Sequence, residues 1–124
     1  MIFMPFSART EIMPTIIRPR IAVTDDFIIG PGKIDLLRAI EAHGSISAAA
    51  RSLGMGYRRA WALVDALNRN LPNPVLESIA GGKGGGGAKV TDAGAALIRA
   101  YDEIEAACKA AAHPGLDIIR ALVS

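Results

Sequence analysis

A chain of 124 residues has room for one domain with a real core, and with 51% hydrophobic but only 5% aromatic residues it must build that core from Ala, Ile and Leu, which favours closely packed helices. The single Cys108 excludes an intrachain disulfide and a cysteine-based zinc site, so neither a metal nor a cofactor is expected. The net charge of +2 is small but uneven: residues 44–91 carry six basic side chains against two acidic ones.

Residues 1–19, with Pro5, Pro14 and Pro19 and no sustained periodicity, read as a flexible N-terminal arm. Ile21, Val23, Thr24, Ile28 and Ile29 around the turn-forming Asp25 and Asp26 predict one or two short strands, stopped by Gly30, Pro31 and Gly32. Ile34, Leu37 and Ile40 recur at helical spacing over 33–43, and Gly44 supplies a left-handed stop. Ser45 and Ser47 are both N-cap candidates for a short second helix through Leu53, after which Gly54, Met55 and Gly56 make a tight turn. A third helix over 57–70 sets Tyr57, Ala60, Val64 and Leu67, then Leu71, on one side and Arg58, Asp65 and Arg69 opposite, before Pro72 and Pro74 end it.

Residues 75–79 alternate like a half-buried strand, six glycines interrupted by Lys83 follow, and 88–90 return as a second short strand. Thr91 caps a long helix to about residue 112, with Gly94, Leu97, Tyr101, Ile104, Cys108 and Ala111 spaced by three and four. The expected fold class is mainly α with a small antiparallel sheet (α+β), a winged helix-turn-helix with a long C-terminal helix. It divides into the arm at 1–19, a DNA-binding domain at 20–112 that includes the long helix, and a short tail at 113–124.

A helix that follows a helix and a short turn fits the major groove of duplex DNA, where its first residues meet base edges. Here the start of the third helix offers Tyr57, Arg58 and Arg59, with small Ala62 and Ala66 facing outward. Arg58 is the expected base reader, since an arginine bonds both acceptors of a guanine edge, while Arg51 and Arg69 are better placed for phosphates, with Ser45 and Ser47 beside them. The glycine-rich hairpin is the wing: Lys83 and Lys89 carry its charge, and Gly84 and Gly85 either let backbone N–H groups approach phosphate or only supply the angles of a flexible turn. Trp61, on the flank of the third helix, is expected to anchor against the core, the alternative being a contact to the DNA backbone through its N–H.

The segments GSISAAARSL (44–53), GYRRAW (56–61), GGKGGGGA (81–88) and VTDAG (90–94) resemble the N-terminal DNA-binding domain of the molybdate-responsive ModE-type regulators, and more widely LysR-type helix-turn-helix domains. The resemblance covers about residues 20–112 and implies a winged helix that dimerises and binds palindromic operators. Gly56 stands where the family usually has Ser, so a hydroxyl at the start of the third helix is missing. Molybdate sensing in such regulators resides in further C-terminal domains, and with a dozen residues after the long helix this chain is not expected to bind molybdate by that route.

The expected function is therefore a sequence-specific regulator of transcription on double-stranded DNA, not an enzyme, acting as a homodimer through Leu97, Tyr101, Ile104, Cys108 and Ala111. The alternative is a protein-interaction module that keeps the scaffold without DNA affinity; neutral or acidic residues at 58, 59 and 83 would mark it, and the chain has Arg, Arg and Lys. Gly82, Gly84 and Gly87 satisfy a dinucleotide-binding pattern only formally, since a strand rather than a helix follows. Cys108 on the apolar seam reads as an inert thiol and His43 as a helix-end residue at the negative end of the dipole. No apolar run approaches the roughly 18 residues of a membrane span and residues 1–6 are too short for a signal peptide, so the expected location is the cytoplasm.

Overall fold

The computed structural model describes residues 16–82 and 85–124. Its first element is a hairpin of β1 (Ile21–Thr24) and β2 (Phe27–Ile29), antiparallel with Ile21 opposite Ile29 and an irregularity between Ala22 and Thr24. Asp25 and Asp26 turn the chain, and the Asp26 N–H donates to Thr24 Oγ1 at 3.3 Å. Phe27 and Ile29 alternate inward, whereas Val23 stays exposed.

Helix α1 (Pro31–His43) begins two residues earlier than its apolar spacing suggests, because proline suits the first helical position, where its missing N–H leaves nothing unpaired. Gly44 ends it in the left-handed conformation (φ 79°), its N–H donating to Ile40 O at 2.8 Å. Besides Ile34, Leu37 and Ile40, residues Leu36 and Ala39 are buried, so α1 is covered on most of its circumference and forms the centre of the core. Helix α2 (Ile46–Ser52) is capped by Ser45, whose Oγ accepts from Ala48 N–H at 3.0 Å. Of the two cap candidates Ser45 therefore takes the role, and Ser47 is left exposed in the first turn.

The turn passes through Gly54 (φ 65°) and leads into α3 (Tyr57–Asn70). Ala60, Val64 and Leu67 are its buried line; Tyr57, expected on the same side, is 55% exposed. Asn68 Oδ1 receives the Val75 N–H at 2.9 Å and so fixes the chain after Pro72 and Pro74. Strands β3 (Leu76–Gly82) and β4 (Gly85–Val90) pair antiparallel from Leu76 opposite Val90 to Gly82 opposite Gly85. The ladder thus runs further into the glycine-rich stretch than its composition suggests, because pairing needs only backbone groups. The two hairpins form separate two-stranded sheets rather than one.

Helix α4 (Asp92–Val123) is capped by Thr91, whose Oγ1 accepts from Gly94 N–H at 3.1 Å and donates to Pro74 O at 2.6 Å. At 32 residues it is about 48 Å long and continues through the stretch read from sequence as a short tail at 113–124. Pro114 lies inside it; the carbonyl it leaves without a donor, on Ala110, is on an exposed turn where water can serve. Gly94, Ile98 and Tyr101 are its buried residues. Of the residues read as a seam, Tyr101 is 2% exposed in the chain's own core, where its hydroxyl donates to Pro19 O at 2.8 Å, and Leu97 packs against the same core. That bond, with the Arg18–Asp35 ion pair, also docks residues 16–19 on the domain, so this part of the expected arm is not loose. Arg38 pairs with Asp102 and ties α1 to α4.

Candidate nucleic-acid interface

Helix α3 shows one clean outward ridge. With Ala60, Val64 and Leu67 buried, the 3.6-residue repeat carries Arg58, Ala62, Asp65 and Arg69 to the far side, and all four are exposed. Among the described residues no carboxylate lies within ion-pair distance of Arg51, Arg58 or Arg59, so these cations face solvent with their charge unspent. Arg69 differs: its Nε donates to Asp65 Oδ2 at 2.9 Å, an exposed pair one turn apart of the kind worth well under ~1 kcal/mol and easily exchanged for a phosphate.

The base of the second hairpin is locked to the turn between α1 and α2. The Ala88 N–H donates to Gly44 O at 2.9 Å, and a Cβ on Gly87 would stand 2.7 Å from that same oxygen. Gly87 is thus required by close backbone packing, a reason distinct from either one considered for the glycine run. Two separate hollows open along the hairpin. One, a recess of about 290 Å³, opens between Ser45 and Ser47, Tyr57 and Trp61, and Ser78 with Gly86 to Ala88. Nearer the start of α4, Lys89 lines the second hollow with Glu77 and Asp92 rather than the recess. Gly85 is a ladder residue opposite Gly82, while Lys83 and Gly84 lie outside the described residues.

Trp61 is the main departure from expectation. It is 44% exposed instead of packed in the core, and its ring meets Tyr57 edge-on with centroids 6.2 Å apart. The reason is angular: one residue beyond buried Ala60, Trp61 sits about 100° round the helix from it, on the flank toward the recess. That signal was present in the sequence, as the Tyr57/Trp61 spacing of four on a helix whose buried line runs elsewhere. Ser78 was not legible, because only the hairpin register brings it to the recess.

Two helices at a tight turn, a basic exposed ridge on the second and a hairpin locked beside it make up an α+β domain that ends in a long C-terminal helix. The chain is homologous to ModE regulators and Mop proteins and matches the ModE-type N-terminal region. It is 36% identical over 104 residues to the transcriptional regulator ModE of Haemophilus influenzae, covering 84% of this chain and 39% of that protein. It is 42% identical over 72 residues to the DNA-binding transcriptional dual regulator ModE of Escherichia coli, covering 58% and 28%. With the molybdenum-pterin-binding protein MopB of Rhodobacter capsulatus it shares 51% over 78 residues, 63% of this chain and 29% of the relative. The chain therefore spans well under half the length of these relatives. No family model matches it.

Proposed function

We propose that this chain is a sequence-specific regulator that binds double-stranded DNA in the cytoplasm, with α3 in the major groove and the β3–β4 hairpin as a wing against the backbone or minor groove. The observation that carries the reading is the ridge of α3: Arg58 at its start, small Ala62 one turn on, and no partner for Arg58 or Arg59 among the described residues. A small residue there lets the helix axis approach the groove floor, and an unpaired arginine at the first turn reaches a guanine edge without first breaking an ion pair. The names of the ModE relatives support a DNA-binding regulator in general. Arg51 and Ser47, one turn apart on exposed positions of α2, suit phosphates that flank the groove.

The reading includes a homodimer through α4. Beyond Tyr101 the seam continues at heptad spacing as Ile104, Cys108, Ala111, Gly115, Ile118 and Leu122. Ile118 is 64% and Leu122 81% exposed in the single chain. Two copies related by a two-fold axis would present two α3 helices to half-sites about one helical turn apart.

Selection from a random duplex pool, followed by binding of variants to the selected site, tests the proposal. Arg58→Ala is expected to relax preference at one base pair by about 1–3 kcal/mol, whereas Arg51→Ala should weaken all sequences alike. A chain that selects no sequence and ignores duplex DNA even at low salt would refute it and leave the protein-interaction reading.

A further inference from the structure

We infer that the recess between α3 and the second hairpin seats one sugar-phosphate strand of a DNA duplex, with Trp61 as the side chain that holds it; the inference rests on the function proposed above. Tyr57 and Trp61, both exposed, line the recess together with Ser45, Ser47, Ser78 and Gly86 to Ala88, and among the described residues no carboxylate lines it. The Ser45 oxygen already accepts the Ala48 N–H, which leaves its hydroxyl proton to donate. Apolar ring faces beside uncharged donors match a deoxyribose with its flanking phosphates: the sugar offers C–H surface, and the phosphate oxygens accept from O–H and from the indole N–H. Charge agrees, since Arg58, next to Tyr57 in the chain, and Arg51, one turn beyond Ser47, carry no ion pair among the described residues.

Position points to the same occupant. A helix that lays the Arg58–Ala62 ridge into the major groove turns its flank toward the strand bordering that groove, and the hairpin lies beyond it. Trp61 is on that flank, about 100° from Ala60 and about 100° from Ala62, so it meets sugar and phosphate rather than a base edge. Its contribution is consequently independent of sequence, unlike that of Arg58.

Trp61 is the only tryptophan in the chain, so its emission reports on the recess directly. The full chain is titrated at low salt with a random-sequence duplex pool of about two helical turns (~20 base pairs). Anisotropy of an end-labelled pool measures binding, and Trp61 emission is followed with unlabelled pool. The expected result is an emission change that tracks binding, a roughly tenfold loss for Trp61→Ala that is equal for the pool and for a selected site, and an intermediate loss for Trp61→Phe, which keeps an apolar ring but no N–H. Should Trp61→Ala fail to fold, the emission change and Trp61→Phe decide. Binding with unchanged emission and wild-type affinity in the variants would overturn the inference while the proposed function stands. No binding by the wild-type chain would overturn both.

Discussion

Gly94 shows how little freedom a single position holds in this chain. A Cβ there would stand 2.4 Å from Val75 O and 2.7 Å from Val90 Cγ1, and Val75 O already accepts the Thr91 N–H that precedes α4. Gly94→Ala must therefore push α4 away from the hairpin base, and a loss of about 1–3 kcal/mol is expected in urea denaturation, with the midpoint lowered and the slope retained. Ser45→Ala removes the oxygen that caps α2 and is expected to cost about 1 kcal/mol by the same measurement. Tyr101 carries a pH signature. Burial first, and Glu105 second, push its phenol above the ordinary value. The unfolded chain thus loses that proton first as pH rises past about 10, and stability falls between the ordinary and the raised value. Tyr101→Phe should be less stable at neutral pH by about 1 kcal/mol, having lost its bond to Pro19 O, yet should show a smaller decline under alkaline conditions. Denaturation midpoints at neutral pH and near pH 10.5 check this.

Among the elements, α4 divides at Pro114. Its first part packs on α1 and the second hairpin through Gly94, Ile98 and Tyr101, while the part beyond Pro114 has no buried residue. A helix end that buries nothing within its own chain holds only its local hydrogen bonds. Amides of residues 115–123 should accordingly exchange with solvent faster than those of residues 95–105 in dilute solution. Protection of the distal stretch is expected to rise with protein concentration as the exposed Ile118 and Leu122 find a second copy. Equal exchange along the whole helix at every concentration would count against that division.

For the whole molecule the proposals make association and DNA binding parts of one geometry. Ile118→Glu with Leu122→Glu places charges on the heptad seam without touching the core that α1 centres, so the chain should fold and sediment as a 13.0 kDa monomer where the wild type does not. The same variant should lose affinity for a two-half-site duplex far more than for a single half-site, since only the linked pair gains from simultaneous engagement. Affinity of the wild type should fall steeply with salt, as counterions released from phosphates are restored.

Much of the architecture lies in local chemistry. Caps at Ser45 and Thr91, the stop at Gly44, the breakers Pro72 and Pro74 and the apolar spacing of Ile34, Leu37 and Ile40 act over a few residues, so the amino-acid order alone determined the succession of helices and hairpins and the basic ridge of α3. Distant neighbours decided the rest. Tyr101 left the seam because the Pro19 carbonyl and the face of α1 were there to bury it, and Trp61 was left out of the core because its angle on α3 points past the packed line to the hairpin. Gly87 is fixed by an oxygen 43 residues away in the chain, on Gly44. Burial and close approach depend on which surfaces meet, a property of the folded arrangement that no periodicity within one segment encodes.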